Sequence, residues 1–228
     1  FFQAEDGIRE VERSRGLGDV YKRQESNNRI PTSEEYDATA LAIQEETGAN
    51  LVHPYDDLRT IAGQATCAFE LLEEVPDIDY LLAPVGGGGL LSGTCSSAAA
   101  LATGTKVVGC EPEKADDAWR SFQEGTIVPQ IDPQTIADGL RTSLGEYTFP
   151  IIAANVSEIV TVSEDAILRS MRLVWETMKI VIEPSAAVPV AALLENKISG
   201  HADRIGVILS GGNVDLDSLP DWPELSTE

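Results

Sequence analysis

Basic charge is what this chain of 228 residues has least of. Sixteen Lys and Arg face 38 Asp and Glu, a formal net charge of −22. A field of that sign repels phosphate backbones and anionic lipid surfaces, so neither a nucleic-acid nor a membrane partner is expected. It carries no information about the fold. Histidine (two) and cysteine (three: Cys67, Cys95 and Cys110) are scarce and no CxxC pair occurs, a poor inventory for zinc. An odd, sparse cysteine set fits free thiols in a reducing compartment, and the expected location is cytoplasmic. No run approaches the roughly eighteen apolar residues of a membrane span. What is present suffices for a core: the apolar fraction of 43% excludes wholesale disorder, and the length allows one large domain or two small ones.

The first 24 residues read unlike the rest. Five basic residues (Arg9, Arg13, Arg15, Lys22, Arg23) balance five acidic ones (Glu5, Asp6, Glu10, Glu12, Asp19), so the remaining 204 carry the whole net charge. There is no initiating Met and no apolar core of a signal peptide, and the acidic residues argue against a transit peptide. The segment resembles the conceptual translation of a sequencing adapter, with a short native charged arm as the alternative. It is expected to contribute nothing to the fold. Residues 25–220 form the expected domain, and 221–228 a loose tail.

From residue 25 the pattern alternates. Thr32-Ser33-Glu34-Glu35 offers a cap before a helix running to about Gly48. Ala49 to Val52 is a strand candidate, 58–74 a helix, and Ile78 to Ala83 a buried parallel strand between Pro76 and Pro84. Leu90 to Ala102 is small and apolar, as a packed helix is. Lys106 to Cys110 is the next strand and Lys114 to Glu124 the next helix. Residues 125–150 read as irregular, punctuated by Pro129, Pro133 and Pro150. A strand over Glu158 to Val162, helices over 164–178 and 185–197, and a strand over Ile205 to Leu209 complete the series. Strands alternating with helices at this spacing predict an α/β fold, an open parallel sheet with helices on both faces.

Three motifs could carry chemistry. Pro84-Val85-Gly86-Gly87-Gly88-Gly89-Leu90-Leu91 places four glycines between a strand and a helix. Residues without Cβ let backbone N–H groups approach an anion, and the helix adds its N-terminal dipole, so a phosphate is the natural ligand. The alternative is a glycine turn serving tight strand-to-helix packing. Neither GxGxxG nor a Walker loop is present, which excludes the usual ATP hydrolysis motif. Ser210-Gly211-Gly212-Asn213 ends the last strand, and ligands of open α/β sheets gather at such ends; an ordinary turn is the alternative. In Glu111-Pro-Glu-Lys-Ala-Asp-Asp117, the two outer carboxylates and the Ala115 carbonyl are hard oxygen ligands suited to Mg²⁺ or Ca²⁺, against a solvated acidic loop.

Read together with HPYDD (53–57), IAGQAT (61–66), TIADGLR (135–141), TFPII (148–152), VTVSE (160–164) and VWETMKIVIEPSAAV (174–188), these motifs resemble the fold-type II pyridoxal-phosphate enzymes. The branch is that of serine racemases and serine/threonine ammonia-lyases, and the resemblance runs from about residue 30 to 220. It implies a tryptophan synthase β-like fold with the larger domain mostly present and the smaller mostly missing. It implies pyridoxal 5′-phosphate as cofactor, with Gly86, Gly87, Gly88, Gly89 and Leu90 around its phosphate and Ser210 facing its pyridine nitrogen. A neutral hydroxyl there makes a weaker electron sink than an Asp partner does, which favours β-elimination. Serine and threonine, each with a β-hydroxyl, are the implied substrates, for Cα proton abstraction followed by racemisation or by loss of water and ammonia. It implies Mg²⁺ (or Ca²⁺ or Mn²⁺) at Glu111, Ala115 and Asp117, with Asp79 in the outer shell. Tyr147 departs from the family's carboxamide near that site, and Tyr55 replaces an Asn. Lys179 and Asn213 match positions contacting a nucleotide effector, although Lys179 also reads as a helix-end cation. His53 reads as a packed residue beside Pro54, and Glu183 either lies near the cofactor or caps the helix that follows.

The family's Ser-Phe-Lys segment, which supplies the lysine that holds the cofactor, and its Ser-x-x-Asn-His loop do not appear. The five lysines are Lys22, Lys106, Lys114, Lys179 and Lys197. The expectation is therefore an N-terminally truncated member of the family, not catalytic as it stands, whose full-length form is a homodimer. Two alternatives remain at this point: a biosynthetic threonine ammonia-lyase lacking its regulatory domain, and a stand-alone α/β module that binds phosphate or a cation without catalysis.

Overall fold

The structure, a computed structural model, describes residues 33–215, so the expectations for 1–24 and 221–228 lie outside the described residues. The chain divides into two units between Leu51 and Val52. In the first, helix α1 (Ser33–Thr47) forms where the capping sequence predicts it. Gly48 ends it at φ 71°, donating its N–H to the Gln44 carbonyl at 2.8 Å. The strand expected over Ala49 to Val52 does not form. Leu51 and Val52 are 44% and 50% exposed, and a strand this short needs a neighbour to bury its apolar side chains.

The second unit is a four-stranded parallel sheet in the order β3-β2-β1-β4, with β1 at Tyr80–Pro84, β2 at Lys106–Pro112, β3 at Val156–Val162 and β4 at Ile205–Val207. Every residue of β1 is buried, which explains its near-continuous apolar sequence. Alternation across the pleat divides the core in two. Tyr80 and Leu82 join Val108, Cys110 and Val162 beneath helices α6 (Glu164–Met178) and α7 (Pro184–Leu194). Leu81 and Ala83 join Val107 and Ile159 beneath α2 (Leu58–Glu74), α3 (Gly89–Leu101) and α5 (Thr148–Asn155). Helices thus cover both faces, as the alternation predicts.

The boundaries carry local reasons. Asp57 caps α2 by accepting the Arg59 N–H, and Ser163 caps α6 by accepting that of Ala166. Helix α4 (Asp117–Glu124) begins three residues later than expected, because Lys114 to Asp116 form the turn that lets Glu111 reach its first N–H groups. Pro150 misleads the sequence reading. It sits in the first turn of α5, where its missing N–H has no intrahelical partner to lose, so Thr148–Asn155 is helical within a segment read as irregular. Pairing beyond β4 continues as far as the Ile208 N–H, which donates to the Leu82 carbonyl at 2.9 Å. Among the described residues, no helix is long and apolar enough to cross a membrane.

Candidate phosphate-binding site

The glycine loop leaves the C-terminal end of β1 and opens α3, and it is buried through Gly89. Gly88 has φ 87°, a backbone conformation that L side chains resist. The helical ladder begins only with the Ser92 N–H, which donates to the Gly88 carbonyl at 2.8 Å. The amides of Gly89, Leu90 and Leu91 precede it and have no intrahelical acceptor. A cluster of such donors at a helix N-terminus, backed by the helix dipole, suits a phosphate. The loop is also a packing device. A methyl group at Gly87 would lie 2.2 Å from the Tyr55 ring, and one at Gly88 would lie 2.8 Å from the side chains of Leu144 and Ile152. The close-packing reading of the tetraglycine is therefore present in the structure, and the loop's geometry is compatible with an anion.

Ser210 follows β4, and β4 pairs with β1, so the Ser210–Asn213 loop and the glycine loop leave the same end of adjacent parallel strands. Ser210 is exposed. Its loop is stitched to the approach to α7: Glu183 N–H donates to the Gly211 carbonyl at 3.0 Å, and Asn213 N–H donates to Glu183 Oε2 at 2.9 Å. Glu183 makes no side-chain bond to cap α7, so its carboxylate serves the loop, and burial pushes its pKa up. Lys179 turns its ammonium back onto the Glu176 carbonyl at 2.6 Å, from a left-handed position ending α6. That leaves the effector-matching residues in two different local roles.

Glu111 and Asp117 are both fully buried. Each Glu111 oxygen accepts one backbone N–H at the start of α4, from Ala118 at 3.0 Å and Trp119 at 2.9 Å. Asp117 Oδ1 accepts from Gln130 Nε2 at 2.9 Å, while Oδ2 is buried with no hydrogen-bond partner among the described residues. Burial raises both carboxyl pKa values, and for Glu111 the nearby Asp117 charge adds to the rise. A buried, partly unpaired acidic pair beside the Ala115 backbone fits a hard cation, since each oxygen retains lone pairs. Among the described residues, no three His, Cys, Asp or Glu side chains converge as a metal cluster, so a cation would rely on backbone or water for the rest. Asp79 does not belong to this group. It lies just before β1, at the opposite end of the sheet, with Oδ2 accepting the N–H groups of Asp203 and Arg204. Tyr147 is exposed at the start of α5.

Two residues of this region escape sequence reasoning. The Asp56 carboxylate accepts three backbone N–H groups ahead of and in α5: Glu146 at 2.9 Å, Tyr147 at 2.8 Å and Thr148 at 3.2 Å. The fully buried Thr148 hydroxyl donates to the Gly87 carbonyl at 2.9 Å. His53 organises the turn that carries Asp56, its Nδ1 accepting the N–H groups of Tyr55 (3.3 Å) and Asp56 (2.9 Å). That is a structural role, in line with the reading of His53 as packed.

The fold is an open parallel α/β sheet whose glycine loop stands at the carboxyl end of a central strand, the place where ligands of such sheets gather. The family follows from comparison: residues 11–211 match the model of the pyridoxal-phosphate dependent enzymes, and the chain belongs to that family. It is 48% identical over 190 residues to a beta-hydroxyaspartate dehydratase of Paracoccus denitrificans, covering 83% of this chain and 60% of the relative. The crystal structure of serine racemase from Dictyostelium discoideum matches with a TM-score of 0.76 at 46% identity, over 81% of this chain and 60% of that one. The crystal structure of a T.th. threonine deaminase matches with a TM-score of 0.73 at 48% identity, over 76% and 65% respectively. The chain thus spans about three fifths of the length of the first of these relatives.

Proposed function

We propose that this chain is the phosphate-binding part of a pyridoxal-phosphate enzyme acting on small β-hydroxy amino acids, serine or threonine, by Cα proton abstraction with racemisation or β-elimination. The observation that supports this most directly is the glycine loop, whose first-turn amides have no intrahelical acceptor, standing beside the Ser210 loop at one end of the sheet. When bound, the cofactor supplies the electron sink that acidifies the substrate Cα–H. The loop amides would hold its phosphate, Ser210 would meet its ring nitrogen, and Glu183 would keep the Ser210 loop in place. Relatives named as a racemase, a dehydratase and a deaminase support a shared proton-abstraction chemistry with different outcomes. They do not favour a non-catalytic module.

Glu111, Asp117 and the Ala115 carbonyl would hold Mg²⁺ or a similar hard cation. The net charge of −22 disfavours nucleic-acid and membrane partners. The family resemblance and the sparse cysteines support a homodimeric enzyme of the cytoplasm. None of the five lysines lies in the family's cofactor-holding context, so this chain binds the cofactor without covalent attachment and without turnover.

Equilibrium dialysis of the purified chain against pyridoxal phosphate tests the central reading. Retention that inorganic phosphate displaces is expected; retention indifferent to phosphate would sink it. Borohydride reduction followed by mass spectrometry should give no stoichiometric adduct at a single lysine, only low, scattered labelling of exposed amines. Release of pyruvate from serine or 2-oxobutyrate from threonine would overturn the non-catalytic reading of the isolated chain.

A further inference from the structure

The Thr148 hydroxyl has one proton and two candidate acceptors, the Gly87 carbonyl at 2.9 Å and that of Gly145 at 3.4 Å. The shorter bond takes the proton. The oxygen also accepts the Gly145 N–H at 2.8 Å, so the hydroxyl is satisfied in both directions in a fully buried position. Its effect on the glycine loop follows from peptide geometry. The Gly87 carbonyl and the Gly88 N–H belong to one planar trans peptide and point in opposite directions. Holding the carbonyl against α5 therefore turns the Gly88 N–H away from α5.

Thr148 is held in turn. Asp56 accepts its N–H together with those of Glu146 and Tyr147, which fixes the first turn of α5. The same 53–57 loop lays the Tyr55 ring against Gly87, in edge-on contact with His53 at 4.5 Å between ring centroids. A glycine peptide is otherwise free to flip at small steric cost, and flipping would present a carbonyl dipole to an anion.

We propose that Thr148 is a positioning residue of the phosphate cradle, anchored by Asp56, and that it orients the Gly87–Gly88 peptide so that the Gly88 N–H faces a bound phosphate ester before the ligand arrives. This rests on the reading of the glycine loop as the phosphate site. Thr148 touches no ligand. Its contribution is preorganisation, so it acts on the phosphate and not on the pyridine ring.

Calorimetric titration of the purified chain with pyridoxal phosphate, and with pyridoxal as the phosphate-free probe, separates the possibilities. The wild-type chain is expected to bind the phosphate ester more tightly. Thr148→Val keeps the shape without the hydroxyl and is expected to weaken pyridoxal phosphate binding about tenfold. Pyridoxal binding should not change. Thr148→Ser restores the hydroxyl and should come back to within about threefold of wild type. Should the valine variant fail to fold by circular dichroism, the Gly88 amide of the wild-type chain decides. Inorganic phosphate must shift its ¹H–¹⁵N resonance. A folded valine variant with undiminished phosphate dependence overturns the proposal, as does an unmoved Gly88 amide. A wild-type chain that does not distinguish pyridoxal phosphate from pyridoxal overturns the underlying reading of the loop, and the proposal with it.

Discussion

Two carboxylates buried side by side cost more than either alone, because each loses hydration and faces its neighbour's charge. Glu111 offsets part of that cost by accepting the first N–H groups of α4, an arrangement strengthened by the positive end of the helix dipole. Asp117 offsets less, since among the described residues only Oδ1 finds a donor. A divalent cation bound to the folded state alone would remove the repulsion and stabilise the fold by linkage, about 2.7 kcal/mol at a hundredfold excess over its Kd. The expected outcome is a thermal midpoint that rises with millimolar Mg²⁺ or Ca²⁺ and falls on chelation. In Asp117→Asn the cation effect should vanish, while the metal-free chain loses little stability because a buried charge has gone. A variant that keeps the full cation response would place the ion elsewhere.

Between elements, one close approach joins two of the sequence motifs. Gly93 on α3 faces the Ile61–Ala65 stretch of α2, where a methyl group would lie 2.5 Å from the Ala65 nitrogen and 2.8 Å from the Ile61 oxygen. Both obstacles are backbone, so no rotamer change relieves them. Ser97 ties the same seam by donating to the Ala65 carbonyl at 2.7 Å. Gly93→Ala should therefore force the helices apart and cost about 1–3 kcal/mol in urea denaturation, despite alanine's better helix propensity. A neutral or stabilising result would show that the two helices do not pack this closely. IAGQAT and LLSG thus occur together because they meet.

Strands β1 and β2 were legible because strands buried on both faces leave continuous apolar runs, and α2 because its apolar period lies between a cap and Pro76. The glycine loop was legible because its demand is local. Helix α5 was hidden by Pro150, whose meaning depends on its position within the helix. Asp56 and Thr148 were hidden for a different reason. Their bonds span 92 and 61 positions, and no local pattern marks an aspartate that will cap a helix so far along the chain.

For the sheet as a whole, stability should fall off unevenly from its centre. β1 is buried throughout and pairs on both sides, with β2 over five residue pairs and with β4 over three. β3 is an edge, but six register pairs tie it to β2, and the core clusters on both faces include its side chains. β4 is the weaker edge: three residues long, bonded to β1 alone among the described strands, with Ile205 39% exposed. Local opening draws on the fewest buried contacts, so β4 should open well before the centre, and self-repulsion in a chain of net charge −22 works in the same direction. The Ile208 amide, bonded to Leu82, reports this edge, and the Val108 amide reports the centre. Native-state hydrogen exchange should find Ile208 exchanging at least about tenfold faster than Val108. Equal protection at the two amides would show one cooperative sheet without a weak edge. The consequence for the site is direct, because β4 carries the Ser210 loop. A ligand bridging that loop and the glycine loop binds only when the edge is closed, so saturating pyridoxal phosphate should slow Ile208 exchange more than it slows Val108.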